Sequence, residues 1–98
     1  MPIIYRFMWN NREVFIKYKP KTFDAYERIY GTPLSHIAIE CEQPLPISDT
    51  GFKSYYIANS ALLEYGGPLE FVKDWLNEEA EKPAWKAFDA KHRQLSLF

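Results

Sequence analysis

Ile3-Ile4-Tyr5-Arg6-Phe7-Met8-Trp9-Asn10-Asn11-Arg12-Glu13-Val14-Phe15-Ile16-Lys17-Tyr18 reads as a β-hairpin, and that reading decides the fold. Aromatic and β-branched residues fill both arms, the composition that suits a half-buried pleated surface. Asn10-Asn11 between them tolerates the positive φ that a tight turn requires. A two-residue turn there sets Trp9 opposite Arg12, Phe7 opposite Val14, Tyr5 opposite Ile16 and Ile3 opposite Tyr18. One face is then almost wholly apolar. The other carries Ile4, Arg6, Met8, Glu13, Phe15 and Lys17, a mixed set expected to face solvent.

Beyond the hairpin, Thr22 is placed to cap a short helix through Tyr30, with Phe23, Tyr26 and Ile29/Tyr30 on one stripe and Gly31 and Pro33 ending it. Alternation predicts a strand over Leu34–Cys41, with Ile37, Ile39 and Cys41 on one face and His36, Ala38, Glu40 and Glu42 on the other. Gln43–Gly51 is a loop with two prolines and a turn at Asp49-Thr50-Gly51. Phe52–Ala58 returns as a fourth strand, and Asn59 or Ser60 caps a short helical piece ending at Gly66-Gly67. Pro68 suits a first helical turn, and Leu69, Val72, Leu76 and Ala80, with Phe71 and Trp75 alongside, mark an amphipathic helix. Pro83 begins another, with Trp85, Phe88 and His92 on one stripe, running nearly to Gln94. The expected fold is α+β: a small antiparallel sheet of about four strands, the N-terminal hairpin plus a second strand pair, packed on C-terminal helices in two layers. Residues 1–93 form one domain, and residues 94–98 an extended tail.

Composition narrows the function. Ninety-eight residues with 47% hydrophobic and 17% aromatic content suffice for one small core. No apolar run approaches the roughly 18 residues of a membrane span, and Met1-Pro2 opens no signal-peptide pattern. A single cysteine, Cys41, rules out an internal disulfide and fits a reducing cytoplasm. The net charge of −1 hides a segregation: residues 1–33 carry six Lys/Arg against three acids, residues 34–81 two against nine, and residues 82–98 four against one. Strong phosphate binding usually brings a clearly basic domain, so direct strong nucleic-acid binding is not expected.

Candidate chemistry is sparse. His36 and Glu40 share a strand face, but four strand residues span about 13 Å, too far for one metal ion on a straight strand. Cys41 aligns with Ile37 and Ile39 as a small core residue and opposes His36 across the strand, which argues against a nucleophile pair. His92, between Lys91 and Arg93, sits where cations suit a helix C-terminus. No triad, phosphate loop or paired-carboxylate site is legible, so neither catalysis nor a cofactor nor a metal is expected. Ser48, Asp49, Thr50, Lys53, Ser54 and Tyr55 gather polar groups around the proline-stiffened loop and form a candidate ligand site. Equally, Leu45 and Ile47 can simply tuck that loop onto the core.

The chain ends in Gln94-Leu95-Ser96-Leu97-Phe98. This pentapeptide resembles the tail by which many bacterial replication and repair proteins hook onto the DNA polymerase sliding clamp. The resemblance implies that the Gln94 amide meets a polar subsite while Leu95, Leu97 and Phe98 fill apolar pockets and Ser96 faces outward. Three such side chains gain roughly 1.5–3 kcal/mol each, less the cost of ordering a free tail, so one tail binds at roughly micromolar strength. The same tail folded inward would be a core plug instead.

The loop and Phe52-Lys53-Ser54-Tyr55-Tyr56, together with Phe71-Val72-Lys73-Asp74-Trp75-Leu76, Pro83-Ala84-Trp85-Lys86 and the tail, also look like small uncharacterised proteins of bacterial plasmids and other mobile elements. The expectation is a non-enzymatic adaptor or effector docked on the sliding clamp through Gln94, Leu95, Ser96, Leu97 and Phe98. The alternative is a self-contained nucleic-acid- or protein-binding module of a mobile element, with its tail packed inside.

Overall fold

Asn10 and Asn11 both take positive φ, 45° and 64°, and the turn they make carries the register read from the sequence. In the computed structural model, which describes the backbone of residues 2–96 and the side chains of residues 2–91, β1 (Ile3–Trp9) pairs antiparallel with β2 (Arg12–Lys19). Trp9 faces Arg12, Phe7 faces Val14, Tyr5 faces Ile16 and Ile3 faces Tyr18. Helix α1 (Asp24–Tyr30) follows, then β3 (Leu34–Glu40) and β4 (Phe52–Ala58). The sheet is a meander of order β1-β2-β3-β4, antiparallel throughout. Three further helices complete the chain: α2 (Asn59–Glu64), α3 (Pro68–Ala80) and α4 (Pro83–Ser96). The α+β architecture expected from the sequence is the one observed.

The helices cover one face of the sheet. Val14, Ile16, Ile37 and Ile39 from the strands and Leu62, Val72 and Leu76 from α2 and α3 are fully buried, with Trp9, Tyr18, Leu45 and Trp85 around them. Each such aliphatic side chain contributes roughly 1.5–3 kcal/mol relative to exposure. Pro68 stands at the start of α3, where its missing N–H costs no helical bond. Near the hairpin turn, Arg12 is buried between Trp9 and Trp85, its guanidinium carbon 5.6 Å and 5.4 Å from the two ring centroids. Its Nη2 donates to Asp89 Oδ1 at 2.8 Å, which ties α4 to β2.

Four local expectations need correction. Thr22 does not cap α1: its hydroxyl and its backbone N–H both donate to the Leu34 carbonyl, fastening the chain to β3, and Phe23 occupies the cap position without a side-chain bond. The α1 stripe is not core, since no α1 residue is fully buried and Ile29 and Tyr30 are exposed. Asn59 does not cap α2 either; its Oδ1 accepts from the Tyr18 hydroxyl and from Ser35 Oγ, two polar groups that burial would otherwise leave unsatisfied. Finally, β3 ends at Glu40, and Cys41, one residue later, donates its backbone N–H to Gly51. The stop at Gly31 is as read, with φ of 76° and its N–H on the Glu27 carbonyl.

The backbone of α4 is helical through Ser96, beyond the expected end near Gln94. The side chains of Gln94, Leu95 and Ser96, and all of Leu97 and Phe98, lie outside the described residues. The proposed clamp contacts therefore fall outside them too.

Candidate functional site

Strand alternation fixes what the uncovered face of the sheet presents. Residues two apart share a face, so the outward rows are Ile4, Lys17, Ala38 and Ser54, then Arg6, Phe15, Glu40 and Phe52, with Lys19, His36 and Tyr56 at one end and Met8 and Glu13 at the other. An open antiparallel face ordinarily turns polar residues to water. Here Ile4 (61%), Met8 (64%), Phe52 (51%) and Tyr56 (51%) are all more than half exposed. Phe23 extends the surface by stacking on Tyr56, with ring centroids 6.2 Å apart.

Polar groups from the two central strands lie between these apolar side chains, which stand on the edge strands β1 and β4. Lys17 Nζ pairs with Glu40 Oε2 at 3.3 Å, and His36 Nε2 lies 2.6 Å from Ser54 Oγ with its ring 4.7 Å from Tyr56. His36 and Glu40 thus engage different neighbours. Among the described residues no group of three or more His, Cys, Asp or Glu could hold a metal. The His92 side chain lies outside the described residues.

The six polar residues of the candidate ligand site are not brought together. Ser48 and Asp49 border a groove of about 350 Å3 between the loop and the α3–α4 corner, floored by Leu45, Ile47, Trp85 and Phe88. Thr50 bonds Ser48, oxygen to oxygen at 3.0 Å, and lines a different depression beside Cys41. Ser54 is on the open face with His36. Lys53 and Tyr55 point to the opposite face, where Tyr55 meets Phe71 and Trp75. Leu45 is buried and Ile47 packs against the core, so the loop is tucked onto the domain. Across the groove, a hydrogen bond from Lys82 to Glu79 raises the lysine above its usual pKa.

Phe52 and Tyr56 belong to the open face yet were not among the residues singled out from sequence. The available signal was the alternation Phe52, Ser54, Tyr56, which puts two aromatics on the face opposite Tyr55. Grouping Ser48, Asp49, Thr50, Lys53, Ser54 and Tyr55 as one polar cluster passed over the faces that the strand Phe52–Ala58 presents. Among the described residues no helix is long and apolar enough to cross a membrane.

The family model described as KlcB third domain matches residues 2–85, which takes in the whole sheet, α1, α2, α3 and the first residues of α4. No curated protein and no solved structure matches the chain.

Proposed function

The chain belongs to the KlcB third-domain family, which is plasmid-associated, and from that premise we propose that it is a non-enzymatic binding module that docks a protein partner on the open face of its sheet. The observation that carries this reading is the exposure of Ile4, Met8, Phe52 and Tyr56 on the one face of the sheet that no helix covers. Several large apolar side chains left exposed on one face are costly to keep in water and mark an interaction site. Apolar side chains on the two edge strands, interleaved with charges of both signs from the central strands, fit a protein interface. Nucleic acid would favour a uniformly basic surface, and Glu13 and Glu40 interrupt this one.

The test is a photo-crosslinker. Benzoylphenylalanine placed at Phe52 should capture a discrete polypeptide in host cells, and the same probe at exposed Ala87 on α4 should not. Adding Ile4→Ser and Tyr56→Ser to the Phe52 probe should cut the yield at least tenfold, as loss of two apolar anchors does. A crosslink between two copies of the chain would identify the partner as a second copy. Equal labelling at both positions, or labelling of nucleic acid at Phe52, would overturn the reading.

A second reading rests on the pentapeptide Gln94-Leu95-Ser96-Leu97-Phe98, which lies beyond the family-matched segment. Under it the tail docks on the bacterial sliding clamp and carries the domain to replicating DNA. Calorimetric titration of purified clamp should show roughly micromolar binding, and deleting Leu97-Phe98 should abolish it. Heat unchanged by the deletion would end the clamp assignment. A fall in melting temperature without any clamp binding would return the tail to the core.

A further inference from the structure

On the opposite side of the molecule from the docking face, four aromatic side chains from three elements converge. Tyr55 comes from β4, Tyr65 from the turn after α2, and Phe71 and Trp75 from successive turns of α3. Neighbouring ring centroids are 5.2–5.9 Å apart: Tyr55–Phe71 5.9 Å, Tyr55–Trp75 5.2 Å, Phe71–Trp75 5.7 Å and Tyr65–Phe71 5.2 Å. At these separations nothing inserts between two rings. Together with Glu78 they instead wall a concavity of about 300 Å3, about ten times the volume of one liquid water molecule.

Two features separate this cluster from ordinary core packing. Tyr55 and Tyr65 remain 38% and 49% exposed, so the rings line an opening to solvent. Among the described residues no cation sits over these rings: the cation–ring contacts join Arg12 to Trp9 and Trp85, and Lys73 to Phe7. Aromatic faces carry negative quadrupole potential and attract weakly hydrated cations within about 6 Å of a ring centre. Glu78 at the rim, exposed and in no ion pair among the described residues, adds a full negative charge.

We propose that Tyr55, Tyr65, Phe71, Trp75 and Glu78 form an aromatic cage for an alkylammonium cation of about trimethylammonium size. Such a head group sheds its water cheaply, places methyl groups against the rings and leaves its charge to the ring faces and the Glu78 carboxylate. The site is independent of the docking face and of the tail.

The experiment follows the Trp75 indole N–H by nitrogen–proton NMR, with the Trp9 and Trp85 indoles reporting that the fold is intact. Choline is titrated beside 3,3-dimethylbutan-1-ol, its uncharged carbon isostere. Choline should shift Trp75 in a saturable way and bind at least fivefold tighter than the alcohol. Tyr65→Leu, at the exposed rim, should weaken choline by about two- to fivefold, and Glu78→Gln by a similar factor that shrinks at high salt. A peptide bearing trimethyllysine distinguishes the source: tighter binding than choline identifies a protein side chain, weaker binding a free small amine. Equal affinity for choline and its isostere would make this a merely greasy depression. No Trp75 shift with choline or the peptide would likewise overturn the proposal.

Discussion

Replacing Asp89 with alanine is expected to cost about 3–5 kcal/mol of unfolding free energy, the usual penalty for stranding a buried charge. Arg12 is 5% exposed. Its Nη2 donates to Asp89 Oδ1 at 2.8 Å, its Nη1 to the Asn10 carbonyl at 3.2 Å, and its Nε is buried without a partner. The guanidinium therefore enters the interior already short of one hydrogen bond. The faces of Trp9 and Trp85 offset part of that desolvation, but neither ring can replace a carboxylate. Without Asp89, the cation must either remain buried or pull out and unseat Trp85, and with it α4.

The reverse change separates charge from packing. Arg12→Met combined with Asp89→Leu removes both ions and keeps the volume, and should return stability to within about 1–2 kcal/mol of the parent. Urea unfolding of Arg12→Met, Asp89→Leu and the double variant closes a cycle whose coupling term is the strength of the pair. A loss below about 1 kcal/mol for Asp89→Ala would class the contact with ordinary surface ion pairs, and the assignment of Arg12 as the tie between hairpin and helix would fail.

The second large effect belongs to Gly51→Ala. Gly51 is buried with φ of 82°, a conformation that L side chains rarely adopt. An added Cβ would overlap the Cys41 carbonyl oxygen and stand 2.8 Å from that of Gln43. Those atoms are backbone and cannot swing aside, because the Gly51 carbonyl accepts from Cys41 N–H and the Gly51 N–H donates to the Ser48 carbonyl. We expect a loss of about 3 kcal/mol or more, combining dihedral strain with a clash. Gly31 is the matched control, with φ of 76° and nothing within 4 Å of an added Cβ. Gly31→Ala should cost only about 1–2 kcal/mol, the dihedral cost alone. Equal melting-temperature shifts for the two variants would show that the close approach at Gly51 contributes nothing.

Residues whose structure is set by near neighbours were legible. Asn10-Asn11 tolerates positive φ, and that local fact propagated by alternation through every pair from Trp9–Arg12 to Ile3–Tyr18. Phe52–Ala58 and Pro68–Ala80 were legible for the same reason, one through flanking breakers and the other through proline at the first helical turn. Caps were misread because the hydroxyl and amide groups that favour a helix start also serve any nearby acceptor or donor. Thr22 found Leu34 and Asn59 found Tyr18 and Ser35, partners 12 to 41 residues away. The polar run from Ser48 to Tyr55 looked like one site because it is contiguous, yet strand alternation sends Ser54 and Tyr55 to opposite faces.

By itself the sequence determined the strands, the register of the N-terminal hairpin and the face that must be buried, because a two-residue period and a turn's dihedral demands act over a few bonds. Tertiary structure alone decided which groups from distant segments meet: Arg12 with Asp89, Tyr55 with Tyr65 and Trp75, and Tyr56 with Phe23 on a face that no helix covers. Such meetings depend on how layers stack and where loops lead, and burial energy is proportional to area whatever the identity of the neighbour. Hydrophobic pattern therefore specifies that a face is covered and leaves its partners to the fold.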